Sequence, residues 1–228
     1  MFNPVTSPLS LLETRVLGVL IEKEATTPDN YPLTLNSLVS GCNQKTSRDP
    51  IINASEAEVQ MAIDGLKRAH LIIESYGSRV VRIEHNAMRG LGLLDRGALA
   101  IIGVLMLRGP QTVGEIRINT DRMHRFVDIG AVERILESLG EYAARPLVTR
   151  LNRLAGSRDP RYAHLLAGPV AVELGVAGMT HSGIAEVSTA EVVALRTTVA
   201  QMRTELDALR AMVQRLYQEL DIKADVKA

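Results

Sequence analysis

The stretch Ser55-Glu56-Ala57-Glu58-Val59-Gln60-Met61-Ala62-Ile63-Asp64-Gly65-Leu66-Lys67-Arg68-Ala69-His70, continued by Leu71 to Glu84, decides how the chain folds. Ser55 with Glu58 is a capping box. The hydroxyl can accept from the amide three residues on, and the carboxylate can reach back to the cap amide. Val59, Ile63 and Leu66 then share one helical face. After His70 the period changes. Leu71 to Ser75 and Arg79 to Glu84 are β-rich runs, and Tyr76, Gly77 and Ser78 between them read as the turn of a hairpin. A helix that leads into a hairpin forms the second half of a winged helix-turn-helix.

The residues before this stretch supply the first half. Ser10 with Glu13 caps a helix from Leu11 to Glu24, with Leu12, Val16, Val19 and Leu20 facing inward. Thr26 to Asn30 is a loop, and Pro32 bars helix until about Thr34. A short helix, Leu35 to Ser40, stops at Gly41, a natural C-cap. The polar run Asn43 to Pro50 is long for an interhelix connection. A functional loop and an ordinary turn both fit it.

The same order recurs further along. Asp95 to Arg108 is apolar and helical and is stopped by Gly109 and Pro110. Thr112 with Glu115 caps a short helix to about Asn119. Asp128 to Ala143 follows, with Val132, Ile135, Leu136 and Leu139 on its inner face. Leu147 to Leu151 and Arg161 to Leu166 are candidate strands.

The fold class is therefore mainly α with small β-hairpins. Two tandem winged-helix domains, 1–86 and 87–169, are expected, each able to fold at about 80 residues. One larger α+β domain is the alternative. A Gly/Ala-rich linker, 170–187, leads to a coiled-coil helix, 188–222, opened by a fourth capping box, Ser188 with Glu191.

In that last helix Val192, Leu195, Val199, Met202, Leu206, Leu209, Val213, Leu216 and Leu220 alternate steps of three and four, which is a coiled-coil seam. Glu191 and Glu205 at g face Arg196 and Arg210 at e of a parallel partner, whereas antiparallel pairing would bring like charges together. A parallel homodimer is expected, with these nine residues as its interface.

Composition excludes several classes. The 228 residues carry 26 basic and 26 acidic side chains, so no chain-wide charge draws the protein to nucleic acid or an anionic membrane. Cys42 is the sole cysteine, which rules out an internal disulfide and a cysteine-based zinc site. The five histidines lack ligand spacing, and no phosphate loop or nucleophile elbow occurs. The first ten residues have no signal-peptide pattern, and the longest apolar runs are too short to span a membrane. The expectation is a soluble cytoplasmic protein, not an enzyme, without cofactor or metal.

The run Leu11-Leu12-Glu13-Thr14-Arg15-Val16-Leu17-Gly18-Val19-Leu20-Ile21-Glu22-Lys23 resembles the YceH-like family of bacterial proteins. So do Thr27 to Asn36, Cys42 to Pro50, Arg108 to Thr112 and Arg161 to Leu166. The resemblance covers about the first 168 residues. It implies tandem winged helices and brings no catalytic residues.

A winged helix-turn-helix sets its third helix in the major groove and its flanks on phosphates, and dimers read two half-sites. Lys45, Arg48, Lys67, Arg68, Arg79 and Arg82 fit that use: the loop before the third helix, that helix's end and the hairpin. A second basic cluster, Arg117, Arg122, His124 and Arg125, fits phosphate contact and a solvated loop equally. Against DNA, residues 1–86 hold eight basic and ten acidic side chains, and Glu56, Glu58 and Asp64 lie on the third helix. Residues 87–169 hold twelve basic and eight acidic ones, but their third helix carries Glu133, Glu137 and Glu141. The reading is a dimeric winged-helix DNA-binding or transcription-associated regulator. The alternative is a scaffold that binds protein partners without DNA.

Overall fold

The computed structural model describes residues 2–76, 80–141, 145–153 and 159–170. The expected linker past Val170, the coiled-coil segment 188–222 with its nine seam residues, and Arg79 lie outside the described residues.

Three capping boxes form as their spacing requires. The Ser10 hydroxyl accepts from the Glu13 amide at 3.2 Å, the Glu13 carboxylate accepts from the Ser10 amide at 2.8 Å, and α1 runs Leu11–Thr26. After a 3-10 turn, Pro28–Asn30, comes α2, Leu35–Cys42. Ser55 and Glu58 then open α3, Glu56–Arg68. Gly41 does not end α2 but lies inside it. A Cβ there would stand 2.6 Å from Val19 Cγ1, so the glycine serves the close approach of α2 to α1. Asn43 is the residue that ends the helix.

Strands β1, Ile72–Ser75, and β2, Arg82–His85, pair antiparallel, with Ile72 opposite His85 and Ser75 opposite Arg82. Leu33, just ahead of α2, adds one bridge to Ile83, with amide-to-carbonyl distances of 3.0 and 2.8 Å. A short α4, Ala87–Leu91, follows without a sequence signal and ends at Gly92 with φ 77°. Next come α5, Arg96–Arg108, capped by Asp95, then β3, Gln111–Thr112, and α6, Val113–Thr120, behind the Thr112–Glu115 box. Asp128 caps α7, Ile129–Gly140, and β4, Val148–Arg150, and β5, Arg161–His164, complete the set. The second sheet has order β3-β5-β4, all antiparallel, with Thr112 opposite Arg161 and Arg150 opposite Tyr162.

The described residues are thus mainly helical, with antiparallel sheets of two and three strands. In each half a residue or two of strand precedes the second helix and pairs with the last strand. Most residues of the inward faces read from the sequence are buried: Val16, Val19 and Leu20 on α1, Val59, Ile63 and Leu66 on α3, and Val132, Leu136 and Leu139 on α7, while Leu12 and Ile135 are half-buried.

One apolar cluster runs from Phe2 to Leu166 through both halves. Its seam is the contact of α1 with α5. Gly18 lies against Leu107 and Met106, and Gly103 against Ile21, so two small residues let these helices approach closely. Residues 2–9 form a strap across the halves. The Phe2 amide donates to Gly90 O at 2.9 Å, the Leu9 amide donates to Leu166 O at 2.8 Å, and Arg145 Nη1 donates to Phe2 O at 2.8 Å.

Candidate nucleic-acid interface

The connection from α2 to α3 is held by side chains from α1. Asn43 closes its base, donating to Ala54 O and accepting from the Ala54 amide, both at 2.8 Å. Arg15, buried on α1, donates to Cys42 O at 3.1 Å and to Pro50 O at 2.6 Å. Arg48 turns inward. Its Nη1 and Nη2 donate to Glu22 at 3.1 and 2.6 Å, its Nε to Gly41 O at 3.1 Å, and its Nη2 also to Gln44 Oε1 at 2.6 Å. The far side of the loop meets α5: the Asp49 amide donates to Leu107 O at 2.8 Å, and Arg108 Nη2 to Ser47 Oγ at 2.6 Å.

Burial pushes the Glu22 carboxyl up, but the hydrogen bonds and charge of Arg48, aided by Lys23, outweigh it and leave the group below its usual range. The Arg48 side chain has 0 % of its surface exposed, so it is no phosphate contact; its cation neutralises Glu22. Cys42 is wholly buried, and burial pushes its thiol up to about 12.

The other expected contacts do not converge. Lys45 and Arg68 are exposed. Lys67 is bonded to Glu74, which also accepts from Tyr76 at 2.6 Å. Arg82 Nη1 donates to Pro32 O at 3.0 Å. The loop around Arg48 lies against Glu22, while a Cβ added at Gly65, two residues before Lys67, would collide with the Glu13 carboxylate. These two sites on α1 are nine residues apart, about 13 Å of helix at ~1.5 Å per residue. On α3 the exposed side chains include Glu56, Glu58, Met61 and Asp64.

The second half carries more such exposed cations. Arg150, Arg153 and Arg161, on and beside β4 and β5, are exposed, and none of their side chains has a hydrogen bond or ion pair among the described residues. A shallow cleft of about 320 Å³ lies beside them, lined by Arg150, Leu151, Asn152, Arg153 and Pro160. The signal was present in the sequence, where residues 145–161 hold five arginines against one aspartate. At the end of α6, Arg117 and Arg122 are exposed as well, and Arg125 Nε donates to Asp121 at 3.2 Å. His124 packs edge-on against Phe126. The exposed charged side chains of α7 include Glu133, Arg134 and Glu137.

A family model described as "Protein of unknown function, DUF480" matches residues 9–157. The chain belongs to the DUF480 family. Similar proteins, each called a UPF0502 protein, span almost its whole length. That of Acidovorax is 50% identical over 224 residues, covering 97% of this chain and 98% of the relative. Those of Leptothrix cholodnii and Burkholderia thailandensis are 46% identical over 222 residues and 48% over 225, covering 97% and 98% of this chain and 99% and 94% of the relatives. The YceH-like resemblance agrees with this family. The DUF480 match takes in the pinned loop, Arg150 and Arg153. Among the described residues of this DUF480 protein, no helix is long and apolar enough to cross a membrane.

Proposed function

We propose that this chain is a cytoplasmic tandem winged-helix protein that associates with duplex DNA, and that two copies pair in parallel through residues 188–222. Support for the winged helices is the recurrence, in both halves, of three helices and two strands with a strand residue before the second helix pairing to the last strand. Fold alone does not fix function. The observation that carries the DNA reading is the set of exposed arginines in the second half whose side chains hold no partner among the described residues: Arg150, Arg153 and Arg161 on its hairpin, and Arg117 and Arg122 at the end of α6. The reading needs no catalytic residue or cofactor. Pairing is supported by the unbroken Val192–Leu220 heptads.

Fluorescence anisotropy of a labelled random 20-base-pair duplex tests the association. Affinity should fall steeply between about 50 and 200 mM salt as counterions released by phosphate contacts are recaptured. Leu209→Pro, which costs a helix about 3 kcal/mol or more, should give monomers in light scattering, and a surviving dimer counts against the seam. A protein-binding scaffold is the second reading, favoured by the exposed acids of α3 and α7 and by the exposed Met61 and Ile129 beside them. No duplex binding at 50 mM salt moves the case to it.

A further inference from the structure

We infer that the β4–β5 hairpin, not either third helix, grips the duplex, and that it does so through backbone phosphates without reading base sequence. This rests on the DNA association proposed above and names the surface and the kind of recognition.

Availability of cations comes first. A cation already holding a partner must release it before it can meet phosphate. In the first half Arg48 is sealed against Glu22, Lys67 is paired with Glu74, and Arg82 holds Pro32 O, while Lys45 and Arg68 stay exposed and uncommitted among the described residues, Arg68 one helical turn from Asp64. On the second hairpin Arg150, Arg153 and Arg161 are exposed and uncommitted among the described residues. Two of them share one shallow cleft, lined by Arg150, Leu151, Asn152, Arg153 and Pro160. Arg150 stands opposite Tyr162 and shares its sheet face, whereas Arg161, one residue before Tyr162, belongs to the other face. Guanidinium groups bind phosphate oxygens bidentately, so Arg150 and Arg153 together suit the strand backbone.

The helix termini point the same way. Phosphates commonly dock on free amides at a helix N-terminus. Here one first-turn amide of each helix is already taken by a side-chain oxygen of its cap residue: Ser55 at α3, Thr112 at α6, and Asp128 at α7. Glu58, Glu115 and Asp128 also place negative charge where a phosphate would come. On α7, Glu133 and Glu137 stand one turn apart on the exposed face. The major groove presents mainly acceptors, and a carboxylate finds a donor there at cytosine N4 or adenine N6 alone. Entry of α7 into the groove is therefore opposed at its cap and by Glu133 and Glu137, against the one exposed Arg134, and entry of α3 by Glu56, Glu58 and Asp64 ahead of the exposed Lys67 and Arg68 in its last turn.

The test uses the full chain and three labelled 20-base-pair duplexes: random, AT-rich and GC-rich. Arg150→Ala and Arg153→Ala should each weaken binding severalfold at 100 mM salt and lower the salt slope by about one. Arg68→Ala should change neither by more than about twofold, and the three duplexes should compete within about threefold of one another. All of these positions are exposed, and circular dichroism melts confirm that each variant folds. If the wild type binds while Arg150→Ala and Arg153→Ala keep affinity and slope, the hairpin assignment is overturned and DNA association stands. A preference above tenfold for one duplex overturns the absence of base reading. If the wild type binds none of the duplexes at 50 mM salt, DNA association itself fails and this inference with it.

Discussion

Replacing Glu22 with leucine should be among the most damaging single changes that leave the apolar core untouched. The carboxylate accepts two charge-assisted hydrogen bonds from Arg48, at 3.1 and 2.6 Å, and the Arg48 side chain has no exposed surface. Removing one partner of a buried pair costs about 3–5 kcal/mol, because the remaining charge is left uncompensated. Gly41 O, Ser47 O and Gln44 continue to solvate the guanidinium, and Glu22 retains 19% side-chain exposure, which places the cost near the lower end. About 3 kcal/mol corresponds to a fall in Tm of roughly 6–12 °C for a compact unit of this size. Arg48→Met should cost less, since the half-buried carboxylate left behind can take up a proton. The double variant Glu22→Leu/Arg48→Met should recover to within about 1–2 kcal/mol of wild type. Urea titrations followed by circular dichroism measure all three. Acid provides an independent arm. The Glu22 carboxyl, raised by burial but brought below its ordinary range by Arg48, binds its proton later in the folded chain than in the unfolded one. The stability it confers is whole above the unfolded value of about 4.3 and is lost as pH falls through the lower folded value. The gap between wild type and Glu22→Leu should therefore close in acid. If Glu22→Leu lies within about 0.5 kcal/mol of wild type, or the two single costs simply add, Arg48 does not depend on Glu22 and the account of the loop is wrong.

Three further outcomes follow from the packing. Gly103→Val should cost about 1–3 kcal/mol or more, because even a Cβ there would stand 2.8 Å from Ile21 Cγ2 across the α1–α5 seam; unchanged urea midpoints would contradict that contact. Burial lowers the His164 imidazole to about 4, and its Nδ1 has no hydrogen-bond partner. Its neutral form thus supports the fold fully above about 6.5, and that support is lost as pH falls toward the folded value. NMR should find the ring uncharged at pH 5, and a midpoint near 6.5 would refute its burial. Cys42, whose thiol burial pushes up to about 12, should react with iodoacetamide at pH 8 about a hundredfold more slowly in the native chain than in denaturant, and equal rates would mean that the loop opens freely.

What could be read beforehand was local, and what could not was long-range. The Ser10–Glu13, Ser55–Glu58 and Thr112–Glu115 boxes involve partners three residues apart, so spacing alone located α1, α3 and α6. Val59, Ile63 and Leu66 repeat with the helical period, and they are buried. Gly41 misled because a glycine after an apolar run signals a C-cap, whereas here it accommodates Val19 from another helix. Strand β3 has two residues, too few to show alternation, and α4 has five and no side-chain cap. Arg48 in a polar run reads as a surface cation, and only the fold brings Glu22, 26 positions earlier, against it. The hairpin arginines needed no structure to be noticed as a basic run. That the side chains of Arg150, Arg153 and Arg161 hold no partner among the described residues, unlike the engaged Lys67 and Arg82, became visible only with the side chains in place.

Arginine footprinting tests the central claim most directly. The intact protein, with and without the random duplex in low salt, is treated with phenylglyoxal and mapped by mass spectrometry. The duplex should shield Arg150 and Arg153 and leave Arg68 as reactive as before. Shielding confined to Arg68 and the first hairpin, or none at all, would contradict it.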